Sequence, residues 1–237
     1  MKYIFFTVLL VLSATTFAFS QGDKQKQDVK KVVESEVKPP NGWGKSGSDP
    51  GNYEIFVDTN IRRSGKASAT IKAKPTFVKD QFTTIMQSIR ADNFRGKRVR
   101  LSGYIKTENV GSYAGMWMRV DATDLRMLDF DNMGDRPIKG TTDWKWYEVV
   151  LDVGMDAQQI AFGVNLGESG QVWADDLKLE IVGQDVSKTS LKIPPEEAKY
   201  AEKELEEYKR TQKDKYEADL ARMKTRPTAP VNLDFEN

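Results

Sequence analysis

Gly96-Lys97-Arg98-Val99-Arg100-Leu101-Ser102-Gly103-Tyr104-Ile105-Lys106 alternates without a break. In an extended chain successive side chains point to opposite faces, so Val99, Leu101, Gly103 and Ile105 share one face while Arg98, Arg100, Ser102 and Tyr104 share the other. One face is buried and the other is wet, as in an antiparallel sheet that covers a core on one side only. The same period extends outward from this run: Tyr53, Ile55 and Val57; Ala67, Ala69 and Ile71; Tyr147, Val149, Leu151 and Val153; Ile160, Phe162, Val164 and Leu166; Leu177, Leu179 and Ile181. Turn signals such as Ser64-Gly65-Lys66, Phe94-Arg95-Gly96-Lys97 and Glu168-Ser169-Gly170 separate the runs. Eight or nine short strands between residues 41 and 185 point to an all-β fold, a jelly-roll β-sandwich rather than a seven-stranded immunoglobulin type.

Composition narrows the chemistry. The chain of 237 residues has no His and no Cys, which removes Ser-His-Asp and Cys-His nucleophile systems, the usual structural zinc sites, thiol redox chemistry and disulfides. Lys plus Arg number 36 against 35 Asp plus Glu, a net charge of +1 that gives no whole-chain field for nucleic acid or anionic lipid. Lys2 followed by the apolar run Tyr3 to Leu12 and by Ala18-Phe19-Ser20 has the form of a signal peptide over residues 1–20, with an uncleaved anchor as the rival reading. Cleavage there leaves a secreted or periplasmic protein that does not engage the membrane. Residues 21–40 are polar, end in Pro39-Pro40 and read as a disordered leader.

The C-terminal part changes character. Pro195 suits a first helical position, Glu196 and Glu197 favour the positive end of the dipole, and Arg226-Pro227 ends the run, so one long C-terminal α-helix is expected over 194–225. Ala198, Ala201, Leu205, Tyr208, Gln212, Tyr216, Leu220 and Met223 form a narrow stripe, suited to the sandwich, to a coiled-coil partner helix, or to a solvated spacer.

Ser64-Gly65-Lys66-Ala67-Ser68, the alternating run above, Trp144, and Gly170-Gln171-Val172-Trp173-Ala174-Asp175-Asp176-Leu177 together resemble the galactose-binding-like jelly rolls that include many carbohydrate-binding modules. Residues 42–182 also resemble the uncharacterised domain of that kind found beside bacterial hydrolases and regulators. In such domains a strand reading roughly Asn-x-x-Phe-Glu precedes the Gly-Trp that here is Gly42-Trp43. This chain instead carries Asn232-Leu233-Asp234-Phe235-Glu236 at its far end. Residues 226–237 are therefore expected to be a tail that opens an absent domain, the alternative being a strand that returns to the sandwich. The resemblance further implies a structural Ca²⁺ held by Asp175 and a carbonyl of the Ser-Gly-Lys turn at Gly65, although the opening-strand Glu of that site is missing from its usual place. A β-bulge or a hydrogen-bonded Asp175 is the other account, since unbroken alternation would put Asp175 inward with Trp173, Leu177 and Leu179.

The candidate ligand-binding residues are Trp117, Arg119, Asp131, Asn132 and Arg136. On the strand 114–121 Met116, Met118 and Val120 share one face, leaving Trp117 and Arg119 on the other. An indole offers a sugar ring an apolar platform, and Arg and Asp satisfy its hydroxyls. Trp117 packed beneath a covering element is the structural alternative. The segment 121–144 is rich in Asp, but nothing in the sequence sets a pair of carboxyls at the about 5 to 9.5 Å that glycosidases use, so catalysis is not expected. Two functions stand: a secreted non-catalytic module that binds a glycan or polysaccharide, and an interaction domain that positions a partner through its helix.

Overall fold

The computed structural model describes residues 38–237; the signal peptide and nearly all of the leader lie outside the described residues. Nine strands appear in chain order: β1 Gly44–Gly47, β2 Tyr53–Asp58, β3 Ser68–Ala73, β4 Phe82–Arg90, β5 Lys97–Ala122, β6 Met127–Asp131, β7 Ile138–Val153, β8 Ala157–Gly167 and β9 Gln171–Val182. Two helices follow, α1 Pro195–Thr211 and α2 Lys213–Lys224.

β5 organises the sandwich because it is long enough to belong to both sheets. Its first half lies between β7 and β9, and β9 continues the sheet to β3 and β2. Its second half lies between β8 and β6, and β8 continues the other sheet to β4 and β1. All of these pairings are antiparallel. The inward sets read from the sequence meet in one core, with Val99, Leu101, Ile105, Val149, Leu151, Ile160, Phe162 and Val164 buried together.

Four features depart from the sequence reading. β4 lacks alternation because both of its faces are covered, and Phe82 through Ile89 are all buried. The expected single helix breaks at Gln212, whose backbone (φ −130°, ψ 49°) is not helical, and the chain folds back far enough for the Tyr208 hydroxyl to donate to Asp219 at 2.7 Å. Trp173 lies on the outer side of β9, not in the core, yet it is buried there and donates its indole N–H to Asp58 at 2.9 Å. A register shift opposite Ser102 and Tyr104, with Asp176 in the left-handed region at φ 53°, is the β-bulge that returns Leu177 to the core.

The fourth correction concerns the tail. Residues 232–236 do not stand off as the start of another domain; Phe235 is 1% exposed and lies in the core. The segment forms a turn rather than a strand, with Asn232 and Phe235 at positive φ. Trp43 donates its indole N–H to the Asn232 carbonyl at 2.9 Å, its ring lies 5.2 Å from that of Phe235, and the Leu177 N–H donates to the Leu233 carbonyl at 3.0 Å. The route home has a physical cause. β1 pairs only with Thr83–Met86, leaving the rest of the β4 edge open, and residues 227–231 take it. Arg90 N–H donates to Pro227 O at 2.8 Å, while the Gln87 amide donates to Val231 O and accepts from Val231 N–H. An uncovered edge is a template for unwanted pairing, and this return closes it. Before α1 the chain covers the β7 and β6 edges in the same way, through Thr189 against Val150 and Leu191 N–H to Phe130 O.

Candidate functional site

The sandwich presents two outer faces. One is covered, and the other is open.

The covered face belongs to the sheet of β4, β8 and the second half of β5. Trp117 and Arg119 lie on it, opposite the inward Met116, Met118 and Val120. α1 and α2 lie across it, burying Leu205, Tyr208 and Met223. Trp117 is only 4% exposed, packs with Met86 and Ala161, and donates its indole N–H to the Thr84 hydroxyl at 2.7 Å. A sugar cannot stack on a ring so enclosed. Arg119 holds Asp121 through Nε at 2.9 Å, and the Gln159 amide donates to the same carboxylate at 3.1 Å. Burial pushes the Asp121 carboxyl up, and Arg119 with Gln159 pulls it back.

The segment after β6 is organised from within. Arg136 grips the fully buried Asp131 with two N–H groups, at 2.6 and 3.2 Å, and Asp131 also accepts from the Met133 N–H at 2.8 Å. The Asn132 side chain accepts from Gly134 N–H at 3.0 Å. These groups satisfy one another, as buried charges must, and they seat Met133 in the core.

At the sandwich end, Asp175, Gly65 and Glu236 converge. The Asp175 carboxylate accepts from the N–H groups of Arg63 at 2.7 Å, Ser64 at 3.1 Å and Asp176 at 2.8 Å. Glu236 accepts from Lys66 N–H at 2.6 Å, and the Gly65 carbonyl accepts from Arg62 Nε at 3.1 Å. Calcium takes six to eight oxygens turned toward it. Here the Asp175 carboxylate and Glu236 Oε1 accept from backbone N–H groups, and among the described residues no group of three or more carboxylates stands close enough to hold a metal. Gly65 sits at φ 55°, where an added Cβ would collide with the Glu236 carboxylate. Glu236 was not singled out in the sequence beyond its Phe-Glu motif.

The open face belongs to β7, the first half of β5, and β9. Trp146 stands opposite Tyr104 across the β7–β5 pair and is 48% exposed. Arg100 lies 5.9 Å from the Trp146 ring centre, and Arg63 lies 4.3 Å from that of Tyr104. Charges on this face are paired across strands. Arg98 meets Asp152 at 2.8 Å, Arg100 meets Glu180 at 2.8 Å and Glu148 at 3.5 Å, and Lys106 meets Asp143 at 3.1 Å. Sequence reasoning passed over Trp146, yet the signal was present: it has the outward parity of β7, opposite Tyr147, Val149 and Leu151.

No family model matches the chain. It is 45% identical over 161 residues to a Bacillus subtilis (strain 168) protein named as the uncharacterized HTH-type transcriptional regulator YbfP, a match covering 67% of this chain and 54% of that one. The chain thus spans about half the length of this curated relative. Among solved structures it is similar to the enzymatically active domain of bacteriophage CBA120 tailspike protein 4, at 12% identity and TM-score 0.46 over 60% of this chain and 20% of that chain. It is also similar to the CBM22-1 xylan-binding domain of Paenibacillus barcinonensis Xyn10C, at 13% identity and TM-score 0.42 over 62% and 90%.

Proposed function

We propose that the chain is a secreted, non-catalytic binding module that takes a carbohydrate chain on its open sheet face, with Trp146 as the platform. The observation that carries this reading is a large indole left half exposed in the interior of a strand, beside Tyr104 and within a ladder of Arg and Glu side chains. An indole face packs on the apolar C–H side of a sugar ring, and the flanking guanidinium and carboxylate groups donate to and accept from its hydroxyls. Because Arg98, Arg100 and Lys106 on this face are already matched by carboxylates, the surface suits a neutral glycan. The buried carboxylates Asp121 and Asp131 are each engaged by an arginine, which favours recognition over glycosidase chemistry. The signal-like first twenty residues support export. The similarity to a protein named as a transcriptional regulator is in keeping with a module that recognises a ligand without transforming it.

The test is affinity electrophoresis and calorimetry against a panel of soluble neutral polysaccharides, comparing the intact chain with Trp146→Ala. Loss of a central aromatic contact is worth about 2 kcal/mol, about thirtyfold in Kd. The variant is expected to lose that much affinity with an unchanged melting temperature. Failure of every polysaccharide to bind, or equal binding by the variant, would overturn the assignment.

A further inference from the structure

The helical hairpin does not seal the covered face completely. Between it and the sheet lies a cavity of about 260 Å³. This is slightly below the roughly 300 to 1,000 Å³ of sites for drug-sized ligands, so it has room for a single ring and not for a chain. Its apolar lining comes from Met86 and Ala161 on the sheet and Leu205 and Met223 on the helices. Its polar lining includes Ser88, the Arg119–Asp121–Gln159 group and, from the end of the hairpin, Arg226.

The charges around this cavity are not equally settled. Asp121 is matched by Arg119, Arg126 lies within 4.0 Å of Asp124 and Asp156, and Asp219 is matched by Arg222 at 3.0 Å. Of the two further carboxylates that line the cavity, Glu202 is exposed and Glu204 is hydrogen-bonded by Tyr200. Arg226 differs. Its Nε is buried without a hydrogen-bond partner, and no carboxylate forms an ion pair with it among the described residues. Burial, and then the neighbouring Arg222, press against its charge, and Asp219 offsets this only in part. A half-buried guanidinium left in this state is costly until an anion meets it, and a planar carboxylate matches its fork of N–H donors.

We infer that this cavity binds a small hydroxylated carboxylate, a one-ring sugar acid whose carboxylate meets Arg226 and whose hydroxyls meet Ser88, Gln159 and the Asp121 carboxylate. The apolar lining takes the C–H face of the ring. This site lies on the opposite sheet from the Trp146 platform and stands or falls separately from it.

Calorimetry and thermal shift with galacturonate, galactose and trigalacturonate test the inference on the full chain. Galacturonate is expected to bind and raise the melting temperature, with galactose at least tenfold weaker. Binding of trigalacturonate as well would make an acidic chain end the source of the ligand, and its exclusion would make the free acid the source; both support the site. Arg226→Gln is expected to weaken galacturonate at least tenfold, Arg226→Lys to restore part of it, and Trp146→Ala to leave it unchanged. No binding of galacturonate at 10 mM, equal binding of galactose, or full binding by a folded Arg226→Gln protein would overturn the inference.

Discussion

Replacing Phe235 by Ala puts the return of the C-terminal segment to direct trial. Its ring is 1% exposed and packs against Trp43 at a centroid distance of 5.2 Å. Trp43 in turn meets Phe162 edge-on at 5.9 Å. Removing a buried Phe costs about 3–5 kcal/mol, because transfer energy is lost and the surrounding rings collapse only partly into the space. For a domain of this size each kcal/mol lowers Tm by about 2–4 °C, giving an expected drop of about 6–20 °C by calorimetry. Hydrogen exchange supplies a second reading. The Leu177 N–H, bonded to the Leu233 carbonyl, should be protected in the intact chain and exchange faster once residues 232–237 are deleted. A Tm within 2 °C of the parent, with Leu177 protection unchanged by the deletion, would refute the docking and restore the picture of a free tail.

Trp117→Ala should lower stability by about 3–5 kcal/mol, since it empties a covered site and orphans the Thr84 contact, whereas Trp146→Ala should leave the melt unchanged. The Arg98 hydrogen bonds hold the Asp152 carboxyl below its ordinary 3.8. Burial raises Asp58, but the Trp173 indole and the N–H groups of Ile61 and Asn60 outweigh it and hold it low as well. Both contributions are complete above the unfolded value and are lost as pH falls through the lowered folded values, so Asp152→Asn should flatten the acid limb of the stability profile below about pH 4. EDTA should shift Tm by less than 1 °C, because Asp175 is satisfied by backbone N–H groups; a larger drop that Asp175→Asn abolishes would reinstate a calcium ion.

What the sequence disclosed follows from where each strand has water. The first half of β5 and β7 keep one wet face, so their period is two and their parity can be read, Tyr104 outward included. β4 has none. With β8 beside it, the core beneath and helices above, its sequence FTTIMQSIR carries no alternation, and the strand escaped notice. The Asp175-Asp176 bulge shows the limit of parity itself. One extra residue inverts every assignment on one side of it, so parity puts Leu177 in the core correctly and Trp173 on the wrong side. The tail illustrates a different obstacle. Leu233 and Phe235 are visible as apolar residues, but their destination depends on an edge that β1 leaves open about 145 residues away in sequence, and local pattern carries no such information.

Trp117 is covered and Trp146 is open for a reason that parity does not carry. Trp117 and Trp146 both have outward parity, and parity says only which sheet face a side chain joins. Whether that face meets solvent is decided by the hairpin of α1 and α2, whose stripe of Ala198, Ala201, Leu205, Tyr208 and Met223 needs an apolar surface to cover. The sheet face around Met86, Trp117 and Ala161 offers one, whereas the face around Trp146 is ruled by Arg98, Arg100, Glu148 and Glu180, whose desolvation beneath a helix would cost more than the stripe returns. The charge ladder on β5 and β9 thus directs the helices to the opposite sheet, and by keeping its own face wet it leaves Trp146 available to a ligand.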